Sequence, residues 1–574
     1  MKTQLSLFFA LLLFLTGCAS TSSPKLPRPF PGYAHWLEKQ SMINQAPKII
    51  AQVSQSELIW LQGSDPGRAR LMLETAPSWL DSRLAFRELA QDTPKIAGLG
   101  ISGIYMGHMG ELPDIWLSAS ANTAPTAPAS LNFNPGLGTE ENFENLVKTA
   151  ENNGLELGGA LLAGYTGRGP DFALQARKVT GYAGLYAMLP VPAEAEQLLP
   201  PHAKDQDEWQ ATRLGKKEVT ALTEAGVLPV SIARDNISWA SPGGWASTGP
   251  ITGADGSTRR WVYRYAYTPE QPVMAWQDPS GQAAKIFSAA IIRHTGLLGI
   301  SLAGIHMEPL MGLEPGQSGD SALSPGIDAI NDIARQIHRY GGWAMQADAM
   351  PAYAIEQILK GQCDFCRDDL TETLAVYGLL YADGRPLAQL YRNWLKNRLD
   401  TGRLARGPIE NFNIKLLPGG QEYALPQDKL SAFEALGNVG KIQASRPELK
   451  DALKQFLTGF RAGLPGLAFF EQSELNGLEK LLATRKKAGL AAGRVLSVTR
   501  GKGGGFAILS SLPKNAYWLL ICNFGINPDE IAVDLPAAPR RAVEANGSDL
   551  TPKLSGKSFR LGLNGRTIKN IILN

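Results

Sequence analysis

Residues 300–312 read ISLAGIHMEPLMG. Leu297, Leu298, Ile300 and Leu302 alternate with small residues and predict a short buried strand, which Gly304-Ile305-His306-Met307-Glu308 carries to its end. Side chains two apart on a strand face the same way, so His306 and Glu308 share a face. An amphipathic helix precedes the strand. Pro279 opens it, Ala283, Phe287, Ala290 and Ile291 share one side, and Gly296 closes it. The turn Glu314-Pro315-Gly316 follows. In an α/β barrel, chemistry is done at the C-terminal ends of strands, where these two polar side chains would stand.

The same alternation continues on both sides. Thr139 caps a helix whose first turn carries Glu140 and Glu141, favourable at the positive end of the helix dipole. Phe143, Leu146, Val147 and Ala150 form its apolar side, Asn153-Gly154 end it, and 155–162 is the next strand. Ile327, Ile330, Ile333, Ala334 and Ile337 mark a helix stopped at Gly341-Gly342, and 343–347 is a strand running into Asp348. Earlier, Gly98-Leu99-Gly100-Ile101-Ser102-Gly103 matches the dinucleotide pattern G-x-G-x-x-G. That motif needs a strand before it and a helix after it. Here the strand, 101–106, comes after, so the reading is helix, turn, strand. Within 34–90, the apolar runs 49–53 and 58–61 are the candidates for the first strand. This βα order predicts a parallel sheet closed into a barrel. A Trp- and Gly-rich insertion at about 173–270 is long enough to carry structure of its own. From Arg494 the pattern changes to short strands at 506–509, 518–523 and 531–535, an antiparallel β domain. Gly501 to Gly505 reads as a hairpin turn, since no helix follows to make a phosphate loop.

With 574 residues and a net charge of +3, the chain is long enough for a large barrel plus modules and carries no electrostatic footprint for nucleic acid. Lys2, the apolar run 5–15 and Thr16-Gly17-Cys18 have the form of a signal peptide. Leu15-Thr16-Gly17-Cys18 resembles a bacterial lipobox. The resemblance implies lipidation of Cys18, removal of residues 1–17 and a membrane-tethered protein. Ala19 after the Cys favours the outer membrane. The plainer alternative is an ordinary secretory signal with a chance Cys. Residues 18–33, rich in Ser and Pro, form a tether. Cys363 and Cys366 suit a local disulfide in an oxidising envelope, and one pair cannot make a four-ligand zinc site. Cys522 reads as core.

Several landmarks resemble those of the α-amylase family (glycoside hydrolase family 13), in order from about residue 92. They are 101–106 as the second strand, Thr166-Gly167-Arg168-Gly169-Pro170-Asp171-Phe172 after the third, and QPVMAWQDP at 271–279 before the fourth. Gly304-x-His306-x-Glu308 stands where the family has Gly-x-Arg-x-Asp. GLPGLAFFEQSE at 463–474 resembles the eighth strand, 482–493 the final helix, and YWLLICNFG at 517–525 the C-terminal sandwich. The form of several landmarks points to the trehalose synthase-like branch. The implied architecture is a (β/α)8 TIM barrel over 34–492, with an inserted subdomain at about 173–270 and a C-terminal β-sandwich over 493–574.

The family's retaining mechanism uses a nucleophile and an acid/base about 5–5.5 Å apart. By resemblance, the nucleophile falls on Glu308, the acid/base on Asp348 and the neighbouring Arg on His306. The third-strand Asp, Asn and His fall on Ala160, Gly164 and Tyr165. The seventh-strand His-Asp falls on Asn411-Phe412, beside Glu410. Asp to Glu at 308 lengthens one arm while Glu to Asp at 348 shortens the other, so their summed reach is unchanged. Tyr165, Trp276, His108 and Glu410 are the expected substrate-side residues, with Trp239 and Trp245 as further stacking candidates. Plainer readings stand beside these: Glu308 paired with His306 for structure, Asp348 as the N-cap of the next helix, and tryptophans in the core. Two functions follow. One is a retaining enzyme that hydrolyses, transfers or isomerises α-glucosidic carbohydrate. The other is an inactive barrel that binds a glucan or a protein partner. Neither implies a cofactor or a metal.

Overall fold

The computed structural model describes residues 37–39, 41–54, 66–111, 129–202, 208, 210–229, 243–276, 278–307, 323–409, 412, 416–417 and 425–574. Eight strands form a closed barrel: β1 (Ser78–Ser82), β2 (Gly103–Met106), β3 (Glu156–Leu162), β4 (Leu302–His306), β5 (Trp343–Gln346), β6 (Phe365–Arg367), β7 (Leu404–Arg406) and β8 (Leu467–Phe470). Every neighbouring pair is parallel, and Trp79 opposite Phe469 closes the ring between β1 and β8.

The first strand is not where the apolar runs suggested. Residues 49–53 belong to the helix Met42–Ser54, and 58–61 lie outside the described residues. Met42, Ala46 and Ile49 are buried at intervals of four and three, which is helical periodicity. β1 is instead the short run SWLDS, in which two Ser and an Asp hide the apolar signal. The fourth strand also starts late. The helix Gln282–Ile291 runs on into a π-helical turn, Ile292–Leu297, so Leu297 and Leu298 precede the strand. Other elements lie where the sequence places them. The helix Glu140–Asn152 has a capping box between Thr139 and Asn142, and the helix Ser324–Arg339 buries Ile330, Ile333, Ala334 and Ile337. The glycine-rich stretch after the helix Phe86–Gly98 is a turn into β2.

Aromatic rings fill the barrel interior. Trp79 on β1 and Tyr105 on β2 are buried, and each lies against Phe469 on β8 at ring-centre distances of 6.0 and 5.5 Å. They fit because the strands beside them carry glycine. A Cβ on Gly103 would stand 2.6 Å from the Trp79 ring, one on Gly158 2.9 Å from Tyr105, and one on Gly304 2.0 Å from the Tyr105 hydroxyl. The helix Pro66–Thr75 closes the N-terminal end of the barrel. Its Met72 and Leu73 join Trp79, Leu302, Met345 and Phe365 in one cluster. Arg68 donates to the Gly342 carbonyl at 2.6 Å, and Trp343 Nε1 donates to the Arg68 carbonyl at 2.8 Å.

Between β3 and β4 the insertion forms a four-stranded antiparallel sheet, in the order Met188–Pro190, Trp261–Tyr265, Gly244–Ser247, Thr212–Arg213. Asp171, at the start of the helix Pro170–Ala176, anchors the helix Met42–Ser54 by accepting from the Met42 and Ile43 amides at 2.8 and 3.1 Å. Burial pushes its carboxyl up to about 6, against the pull of those bonds. At the C-terminus, five strands and three strands face each other. Leu509, Leu519, Ile521 and Ile571 meet Ile531, Val533 and Phe559 between the sheets. The alternate residues Phe506, Ile508, Trp518, Leu520 and Cys522 turn the other way and join the barrel's largest core cluster. The turn after Arg500 is a hairpin, with the Gly501 amide bonded to the Gly505 carbonyl at 2.8 Å. Cys363 and Cys366 are free thiols, not the local disulfide the sequence suggested. Cys366 sits inside β6 against Gln346, while Cys363 precedes the bend at Asp364. Burial pushes the Cys363 thiol up to about 12.

The glycine contacts give a double-mutant test. Gly304→Ala should destabilise the protein by about 1–3 kcal/mol through overpacking. Tyr105→Phe in the same chain should restore part of that loss, because it removes the atom the new methyl meets. Additive losses in urea unfolding would show that the two positions do not press on each other.

Candidate functional site

The mouth of the barrel is built where β4 and β5 end. Gly304 and His306 share a face of β4, so His306 stands one layer above the Tyr105 hydroxyl. Asp348 lies two residues beyond β5 and is only 8% exposed. Its Oδ1 is 2.8 Å from His306 Nδ1. Its Oδ2 accepts from the Met307 amide at 2.6 Å and from Gln346 Nε2 at 3.3 Å. The carboxylate therefore clamps the end of β4 to the end of β5. It is not a helix N-cap: the next helix, Ala352–Lys360, starts after Pro351 with no side-chain cap.

Three further residues complete the polar mouth, and none was singled out from the sequence. Asp81 on β1, Tyr105 on β2 and Arg367 on β6 influence one another electrostatically. Burial, Asp81 and Asp348 hold the Tyr105 phenol well above its ordinary range, and Arg367 offsets this in part. Burial works against the charge of Arg367, but Asp369 and Asp81 outweigh it and raise its pKa. Arg367 donates to Asp369 at 2.5 Å and to the Pro408 carbonyl at 2.8 Å. The Tyr105 hydroxyl is buried and makes no hydrogen bond among the described residues. Tyr105 was visible as part of the second strand, but nothing in its sequence context marked it as reaching the mouth.

Glu308, Glu410, Asn411, Trp239 and Cys18 lie outside the described residues. Tyr165 is 3% exposed, bridges Val273 and meets Tyr267 edge-on at 5.6 Å, so it is a wall residue of the core. Trp276 donates to the Ala163 carbonyl at 2.6 Å and packs edge-on against Phe287. Those contacts fix the loop after β3. His108 lines a cavity of about 60 Å³ beside β3, shared with Thr166, Phe287, Arg293 and His294. Burial first, and Arg293 second, lower His294 to about 4. Phe412 stacks on Phe433 at 4.5 Å. Trp245 lies on the inserted sheet opposite Arg264. Among the described residues, no three His, Cys, Asp or Glu side chains are grouped to hold a metal, and no helix is long and apolar enough to cross a membrane.

Buried ion pairs hold the ends of β6, β7 and β8. Arg406 donates to Asp368 at 2.8 Å, and both side chains are buried. Arg461 donates to Glu372 at 2.8 Å, to Glu474 at 2.9 Å and to the Phe469 carbonyl at 2.9 Å.

No protein-family model matches the sequence, and no curated protein matches it. Solved structures do match the fold. An α-amylase from H. orenii aligns with a TM-score of 0.54 at 12% identity, over 87% of this chain and 100% of that one. A debranching enzyme from Nostoc punctiforme aligns with 0.52 at 13% identity, over 90% and 100%. A trehalulose synthase aligns with 0.51 at 12% identity, over 88% and 100%. Identities this low speak for the fold alone, and they speak for it over nearly the whole length: the closed parallel barrel, the sheets at its C-terminus and these neighbours together give the chain the α-amylase-family fold.

Proposed function

We propose that this protein is an amylase-fold binding protein of the bacterial envelope, which holds α-glucosidic carbohydrate at the barrel mouth without cleaving it. The observation that carries the reading is the state of Asp348. A retaining acid/base must present a carboxyl oxygen to the glycosidic oxygen. Both oxygens of Asp348 are instead taken by protein donors on β4 and β5. His306 is the more available group, with 27% of its side chain exposed. With Nδ1 directed to Asp348, Nε2 is left to meet a sugar hydroxyl. Support for a carbohydrate comes from the fold neighbours, which include a debranching enzyme soaked with acarbose. Attachment through lipid on Cys18 completes the proposal and rests on the sequence Leu15-Thr16-Gly17-Cys18.

Calorimetry with trehalose, maltose and maltooligosaccharides should detect binding, and chromatography of the same mixtures should show no new sugar. His306→Ala should weaken binding at least tenfold. Turnover that disappears in Glu308→Gln would overturn the binding-only reading in favour of a retaining enzyme.

The clamp makes a separate prediction. Asp348→Ala leaves the Met307 amide without its acceptor and should cost about 1–3 kcal/mol in denaturant unfolding. An unchanged midpoint would mean that Asp348 does not brace the strands.

Cys18→Ser should release the protein from the membrane fraction or leave it unprocessed, since lipid chains supply the anchor. A variant of mature size that stays with the membrane would show a different attachment.

A further inference from the structure

The end of the barrel opposite the mouth carries a second chamber, of about 450 Å³. It lies between the helix Pro66–Thr75, the turns entering β6 and β7, and the first hairpin of the C-terminal domain. Its volume falls within the ordinary range for small-molecule sites.

Three arginines line it: Arg70, Arg403 and Arg494. Arg403 is built into the wall. It donates through Nε to the Asp364 carbonyl at 2.9 Å, through Nη1 to the Leu359 carbonyl at 2.6 Å, and through Nη2 to the Cys363 carbonyl. Those bonds take three of its five donors and fix the plane of the guanidinium. All three acceptors are neutral, and no ion pair is formed by Arg403 among the described residues. The same is true of Arg494, whose backbone is bonded to Ser511 across the hairpin. Arg70 pairs with Glu74, but that pair is exposed on the helix surface and weak.

Each of the two acids at the chamber is held through one oxygen. Asp364 accepts from His338 at 2.7 Å and from the Ala344 amide at 2.8 Å. Asp400 accepts from the Gly402 amide at 3.2 Å. The lining thus carries three guanidiniums against two carboxylates. Gln362 and Ser511 add neutral polar groups, and Leu73 and Pro513 add apolar surface. Guanidinium forks match phosphate and carboxylate geometry. The neutral groups suit hydroxyls.

We propose that this chamber is a ligand site distinct from the barrel mouth, and that it takes a sugar-sized polyol bearing a phosphate or a carboxylate. The proposal stands on the chamber alone and holds whether or not the mouth does chemistry.

Calorimetry on the full chain tests it with glucose 6-phosphate, glucuronate, glucose and inorganic phosphate. At least one of the two sugar anions should bind at least tenfold more tightly than glucose or inorganic phosphate, and which one binds identifies the anionic group. Arg494→Glu, at an exposed position, should weaken that binding at least tenfold and leave the melting temperature nearly unchanged. Arg70→Ala should weaken it less, and His306→Ala at the mouth should not change it. The proposal is overturned if neither sugar anion binds below about 10 mM, or if glucose or inorganic phosphate binds as tightly. It is equally overturned if binding ignores Arg494→Glu or is lost with His306→Ala.

Discussion

The barrel depends on a steric bargain between two aromatic side chains and three glycines. Trp79 and Tyr105 occupy the interior on adjacent strands, and Gly103, Gly158 and Gly304 leave the room they need. Protein interiors are packed to crystal density, so a single methyl at any of these points has nowhere to go. The consequence reaches the site. Tyr105 stands so tall that its hydroxyl comes to the level of Gly304, directly below His306. The floor of the mouth is therefore aromatic and buried, and the charged groups around it (Asp81, Asp348 and Arg367) act on Tyr105 and on one another through the protein interior.

Buried ions also tie the later strands together. Arg406 with Asp368, and Arg461 with Glu372 and Glu474, are buried pairs. Such pairs contribute little net stability, because desolvating two charges offsets their attraction, but removing one partner strands the other. Each also satisfies backbone carbonyls: Arg406 that of Pro465, and Arg461 that of Phe469. Arg485 does the same without a carboxylate, donating to the carbonyls of Ala462, Leu464 and Gly466 at the entry to β8. Burial, and Arg406 nearby, lower its pKa to about 9. These arginines stitch turns that no regular element could hold.

What could be read from the sequence follows from which signals are local. The helix capped at Thr139 and the helix of isoleucines from 327 announce themselves through spacing and caps. The eighth strand announces itself through a run of large apolar residues between glycines. β1 was not legible, because SWLDS is five residues with three polar ones, and its burial comes from tertiary neighbours. The π-helical turn at 292–297 hid the start of β4, since its Leu and Ile residues suit either state. At the site, His306 and Asp348 were legible as strand-end groups. Their bond to each other was not, because it spans 42 residues. Tyr105, Asp81 and Arg367 were missed because what matters about them is the strand end they share.

The length of one side chain decides what position 348 does. By resemblance a Glu is expected there, and a Glu would carry its carboxylate about 1.5 Å further from the backbone. From Asp348 the shorter arm brings the carboxylate against the Met307 amide and the His306 ring. His306 belongs to the same arrangement. An Arg at that position would bring a fixed fork of donors and a permanent charge, whereas an imidazole offers one nitrogen to Asp348 and keeps the other. The two residues fit each other: the short acid reaches both the ring and the Met307 amide. A proton donor for a glycosidic bond has to be held without being used up by its holders. Here the holders use both oxygens, and Asp348 with His306 forms a clasp between the ends of two strands.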